Sequence, residues 1–151
     1  MRFQVIVTIA TSAGNLTHPQ GAERRSAAQP LRIVVADDER DTVDTLATLL
    51  RDSGHIVYAV YSGKDVLPTV RVTRPDALII DVAIAGMSGY AVAQEIRHSF
   101  VELRRPLLIG ISGFWTQSAD KLIARQVGFD HYLDKPCDPN RVLELLAQPR
   151  R

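Results

Sequence analysis

At 151 residues, with 46% hydrophobic and 23% charged side chains, the chain is long enough for one domain with a real core and too short for two. Eighteen basic residues against 17 acidic ones leave +1 overall, and Arg2, Arg24 and Arg25 against Glu23 in residues 1–30 make the remainder one charge negative, so neither nucleic acid nor an anionic membrane is expected as the main partner. The single Cys137 excludes a disulfide framework, and residues 3–10, the longest apolar stretch, are too few for a membrane span and poor as a signal peptide, so no membrane insertion and a cytoplasmic location are expected.

Residues 11–30 mix Ser, Thr, Gly, Asn, Gln and Pro without a period, residues 1–10 form a stray strand or simply precede the domain, and 1–30 together are expected to be a flexible N-terminal extension. From Leu31 onward a regular alternation begins. Residues 31–36 (LRIVVA) predict a strand ending at Asp37-Asp38. A helix follows with Val43, Leu46, Ala47, Leu49 and Leu50 on one face, stopped by Gly54. Residues 55–61 predict a second strand, and Ser62 the cap of a helix carrying Val66, Leu67 and Val70, in which Pro68 should delay the start or bend the axis. Residues 77–80 form an apolar run ending at Asp81, and 89–100 a third helix. Residues 107–111 lead to Ser112-Gly113, and 116–127 form a helix stopped by Gly128. Residues 131–133 make a brief fifth strand before Lys135-Pro136, and Asp138-Pro139 open a last helix through Leu146, with Pro139 in the first helical position. Short apolar strands alternating with helices belong to an α/β fold, a doubly wound parallel sheet with right-handed crossovers.

In such a sheet every strand's carboxyl end lies on one edge, where ligands bind. Asp37, Asp38, Asp81, Ser112 and Lys135 all fall there. Two carboxylates about 5 Å apart at an effective dielectric near 20 repel by roughly 3 kcal/mol, and one lysine cannot cancel three such pairs. A hard divalent cation can, and Mg²⁺ takes one or two carboxylates together with phosphate oxygens. The pattern therefore points to Mg²⁺ and then a phosphoryl group.

At these residues the chain resembles a known family. IVVADDE (33–39), LIIDVAIAGMSGY (78–90), GISG (110–113) and GFDHYLDKP (128–136) are similar, in order and spacing, to the motifs of response regulator receiver domains of two-component signalling. The resemblance covers residues 31–148, leaving 149–151 as a tail. It implies a (βα)5 flavodoxin-like sheet in the order 2-1-3-4-5. It implies Asp81 as phospho-acceptor, with Asp37, Asp38, Asp81 and the carbonyl of Ala83 around Mg²⁺. Lys135 and Ser112 would contact the phosphoryl oxygens, and Tyr132 would be the aromatic that turns from an exposed to a buried rotamer as Ser112 moves; a half-buried edge-strand aromatic accounts for Tyr132 equally well. A cis Lys135-Pro136 bond is implied as well. The partners implied are a sensor histidine kinase or a histidine phosphotransfer protein, and a downstream protein target. Ala85 stands where the family usually has proline, which loosens the loop after Asp81. Asp134 precedes the lysine, and strand alternation turns it away from the site. Phe114 is expected to shield the acyl phosphate from water, and Trp115 to report on the site.

Other classes fit less well. An Asp-x-Asp phosphatase motif is absent, because Asp81 is followed by Val82-Ala83. Ser62-Gly63-Lys64 lacks the first glycine of a phosphate-binding P-loop, and no GxSxG or HExxH occurs. His18, His55, His98 and His131 have no zinc-ligand spacing. The competing reading is a receiver-like interaction module that is never phosphorylated. The chain's ending after the fifth helix suits either a receiver acting alone or one belonging to a larger protein.

Overall fold

The computed structural model describes residues 29–99, 105–113 and 118–149; most of the expected N-terminal extension, Phe114 and Trp115 lie outside them. The element order is β1 (Arg32–Ala36), α1 (Arg40–Asp52), β2 (Ile56–Val60), α2 (Gly63–Thr73), β3 (Ala77–Asp81), α3 (Gly89–Ser99), β4 (Leu107–Ser112), α4 (Ser118–Val127), β5 (His131–Asp134) and α5 (Pro139–Leu146). All strand pairs are parallel, in the order β2-β1-β3-β4-β5. This is the expected doubly wound flavodoxin-like sheet.

Two cores result from the period-two alternation of strand side chains. Ile33, Val35, Ala77, Ile79, Ile109 and Ile111 face one side, where they meet Val43, Leu46, Ala47 and Leu50 of α1 and Val142, Leu145 and Leu146 of α5. Val34, Ala36, Leu78, Ile80 and Leu108 face the other side, covered by α2, α3 and α4. The central strand β3 is buried at every position, which explains why it reads as an unbroken apolar run rather than an alternating one. Leu49, expected on the inner face of α1, is only half-buried, because it sits at the border of the apolar stripe.

The ends of the elements carry the differences from the sequence reading. β2 is shorter by a residue at each end, and β3, β4 and β5 each reach one residue further, to Asp81, Ser112 and Asp134. Ladder pairing of Asp81 with Ile111 and of Ser112 with Asp134 draws these polar residues into the strands. Ser62 occupies the N-cap of α2 without a side-chain cap hydrogen bond. Pro68 neither delays nor interrupts α2, which runs from Gly63 to Thr73. The carbonyl that a proline at this position cannot bond belongs to Lys64, and both residues lie on the exposed side of the helix, so the unbonded carbonyl is not shut away from solvent.

Gly63 is fixed by close approach. Its N–H donates to the Ala85 carbonyl at 2.8 Å, and a Cβ at Gly63 would lie 1.9 Å from the Met87 carbonyl oxygen. Backbone meets backbone there, so neither side has a flexible end to move aside. A Gly63→Ala chain is expected to lose about 2 kcal/mol or more of stability, read from the urea midpoint, and to displace the loop after Asp81.

His55 supplies a pH signature. Its Nδ1 accepts from the Leu31 N–H at 3.3 Å, and partial burial lowers its pKa from 6.5. The neutral imidazole is thus favoured in the folded chain. Its contribution is fully present above pH 6.5 and falls as the unfolded chain gains a proton below that value, levelling off beneath the folded pKa. The pH dependence of the melting temperature between 7 and 5 should flatten in a His55→Gln chain.

Candidate functional site

Each polar strand end reaches the same sheet edge. Asp37 follows β1, and its backbone N–H continues the ladder to the Val60 carbonyl at 3.2 Å. Asp81 is the last residue of β3, Ser112 the last of β4, and Lys135 follows β5, held by its N–H to the Ser112 carbonyl at 2.8 Å. The Lys135–Pro136 bond is cis. Asp37, Asp81 and Ser112 are the polar residues buried among the described ones, at 5%, 7% and 1% exposure.

The lysine is drawn into this acidic pocket. Its Nζ lies 2.6 Å from Asp37 Oδ2 and 3.8 Å from Asp81 Oδ2. The other oxygen of Asp37 accepts from the Glu39 N–H at 2.9 Å, and Asp81 Oδ1 accepts from the Ala83 N–H at 3.3 Å. Asp38 stays exposed at the rim, yet one carboxylate oxygen from each of Asp37, Asp38 and Asp81 falls within 4.8 Å of the others.

Electrostatics follow from that crowding. Burial pushes the Asp81 carboxyl above its usual range; the Ala83 N–H and Lys135 oppose this, while Asp37 and Asp38 add to it. Burial alone would lower the Lys135 pKa, but the Asp37 hydrogen bond and the charges of Asp81, Asp37 and Glu39 outweigh it and hold the ammonium charged. One cation thus serves two buried carboxylates, and a third carboxylate stands at the opening. The donors are all hard oxygens, grouped closely enough to share one ion and open to solvent through Asp38. That set suits Mg²⁺ far better than a soft metal.

The structure therefore brings together Asp37, Asp38, Asp81, Ser112 and Lys135, with Ala83 one hydrogen bond from Asp81. Asp134 is exposed and stands outside the pocket, as strand alternation requires. Ala85, at the position that proline usually fills, accepts the Gly63 N–H, so α2 tethers the loop whose stiffness the missing ring would otherwise have supplied.

Tyr132 is half-buried against the core, as an edge-strand aromatic would be. Its hydroxyl is fully buried, close enough to Ser112 and Tyr90 to interact with both, and burial raises its pKa. The ring stands edge-on to Phe129, with centroids 6.3 Å apart and planes at 89°. Phe129 meets Tyr90 in the same manner at 6.1 Å and 75°. Edge-to-face pairs of this kind are favourable beyond their buried area. Sequence reasoning overlooked Tyr90 and Gly110; the usable signal was a glycine in the middle of an otherwise bulky strand, which often marks a close approach.

Comparison with known proteins agrees with this arrangement. The sequence pattern of the response regulator receiver domain matches residues 33–147. Among solved structures, the receiver domain of a Francisella response regulator superposes with a TM-score of 0.70 at 21% identity, covering 77% of this chain and 93% of that one. A response regulator signal receiver domain from Bermanella marisrubri gives 0.68 at 24% identity, covering 78% and 96%. The BeF₃-activated receiver domain of DrrB gives 0.67 at 21% identity, covering 78% and 94%. With the match spanning most of its length and the five-stranded order in place, the chain belongs to the response regulator receiver domain family of two-component signalling.

Proposed function

We propose that this chain is a phospho-accepting receiver: it takes a phosphoryl group from a phosphohistidine on a sensor kinase or a histidine phosphotransfer protein onto Asp81, and thereby changes a partner-binding face. The observation that carries this reading is the buried Asp37–Lys135–Asp81 arrangement, with three carboxylate oxygens within 4.8 Å of one another. Such a cluster is costly to a fold unless a cation and a ligand use it.

Asp37, Asp38 and Asp81, with the Ala83 carbonyl, would hold Mg²⁺. When bound, the ion supplies charge neutralisation for the carboxylates and the incoming phosphoryl oxygens. Everything else belongs to the chain. Asp81 attacks phosphorus through a carboxylate oxygen, forming an acyl phosphate as the phosphorus–nitrogen bond to the donor imidazole breaks. Because this transition state is loose, catalysis consists mainly of positioning and charge stabilisation. Lys135, already charged and 3.8 Å from Asp81, shifts from Asp37 toward a phosphoryl oxygen. The Ser112 hydroxyl and nearby backbone N–H groups take another. Water later cleaves the acyl phosphate and returns Asp81 to its carboxylate. Among the described residues no helix is long and apolar enough to cross a membrane.

Trp115, the one tryptophan and three residues from Ser112, offers a direct test. Its fluorescence is expected to change on adding Mg²⁺ and again on adding beryllofluoride, and Asp81→Asn should abolish the second change. A wild-type chain that responds to neither and gains no phosphoryl mass from acetyl phosphate would instead be an interaction module that is never phosphorylated.

A further inference from the structure

The side of β4 that faces α3 and α4 carries a gap. Leu108 fills this face one step earlier, but the next inward position is Gly110. A Cβ placed there would stand 3.2 Å from Tyr132 Cδ2 and 3.2 Å from Phe129 Cδ1 and Cε1. The Tyr132 ring therefore packs against Gly110 more closely than most Cβ contacts allow, and a side chain larger than alanine would compete for its space. Opposite, α3 contributes Tyr90, whose hydroxyl is as fully buried as that of Tyr132 and interacts with it. Phe129 holds both rings edge-on.

We infer that Gly110 and Tyr90 hold Tyr132 in its inward rotamer before any phosphoryl group arrives, so the aromatic switch of this chain is preset. The notch at Gly110 removes the steric reason for the ring to leave. The Tyr90 hydroxyl gives the buried phenol a polar neighbour that solvent would otherwise supply, and the edge-on contacts add packing that an outward ring would forfeit. A ligand shifts an equilibrium only as far as the favoured state is not already filled. Phosphorylation of Asp81 would therefore be felt at Ser112 with little further movement of Tyr132. Gly110 and Tyr90 are positioning residues here, since neither touches the reacting atoms. The inference extends the proposed phospho-acceptor function, but the resting position of the ring is measurable whether or not Asp81 accepts phosphate.

Fluorotyrosine incorporated at the four tyrosines, assigned by single Tyr→Phe changes, reads the ring by fluorine NMR. In the wild type the Tyr132 signal is expected to be protected from a soluble paramagnetic quencher, equally with and without Mg²⁺ and beryllofluoride. Gly110→Val should render it quencher-accessible in the resting chain, and Gly110→Ala and Tyr90→Phe should do so in part. Circular dichroism and a cooperative melt establish that each variant is folded, and the two milder variants carry the test if valine prevents folding. A Tyr132 signal exposed in resting wild type and protected only with beryllofluoride would overturn the inference, as would a folded Gly110→Val chain with the ring still protected. Failure of the acceptor reading looks different: no phosphoryl adduct forms at all, whatever the ring does.

Discussion

Replacing Asp81 by Asn is expected to abolish phosphoryl uptake from acetyl phosphate or a phosphohistidine donor, measured as the loss of the mass gain of one phosphoryl group. The amide keeps the shape of the carboxylate but lacks the anionic oxygen that must attack phosphorus, and no neighbour can substitute. Asp37 points its Oδ2 at Lys135, and Asp38 lies at the rim. The same change should make the metal-free chain more stable near neutral pH. Burial raises the Asp81 pKa, so the ionised carboxylate is the disfavoured form in the folded state, and removing its charge relieves repulsion from Asp37 and Asp38. A net gain on the order of 1 kcal/mol is expected after the attraction of Lys135 is set against that repulsion. The gain should vanish as the pH falls below the ordinary carboxylate range, where Asp81 is protonated in folded and unfolded chains alike. A variant that loses activity through misfolding would show the opposite thermal shift.

Lys135→Met comes next in size. Methionine matches the length of the lysine stem and fills similar volume while removing the ammonium. Two consequences follow from one residue because Lys135 bridges Asp37 at 2.6 Å and Asp81 at 3.8 Å. The rate of phosphoryl transfer is expected to fall by about 100-fold or more, the usual cost of losing one preorganised charge-stabilising group. Meanwhile two buried carboxylates lose their shared cation, so the metal-free chain should be destabilised and its melting temperature should rise more steeply with Mg²⁺ than that of the wild type. Rapid-quench transfer assays and thermal melts across a Mg²⁺ series separate these effects. Equal Mg²⁺ dependence in both chains would mean that the lysine and the cation do not share the same charges.

Much of this was legible in the residues themselves. The period-two strands and the 3.6-period stripe of α1 specify which side chains face each core, and parallel topology then forces Asp37, Asp81, Ser112 and Lys135 to one edge without any need to see them in contact. Boundaries were less legible, because whether Asp81 or Ser112 belongs to a strand depends on ladder partners far away in sequence. Pro68 misled for a related reason: a proline disrupts a helix only through the carbonyl it leaves unbonded, and here that carbonyl belongs to an exposed residue. The aromatic cluster was hidden most thoroughly. Gly110, Tyr90, Phe129 and Tyr132 come from three elements and an intervening turn, and their meeting depends on side-chain directions that no local pattern encodes.

The most direct measurement is tandem mass spectrometry of the intact chain after acetyl phosphate treatment, with Mg²⁺ in one sample and EDTA in the other. A single phosphoryl group is expected, formed only with Mg²⁺ and mapped to the peptide containing Asp81. Phosphate on another residue, or equal labelling in EDTA, would contradict that expectation.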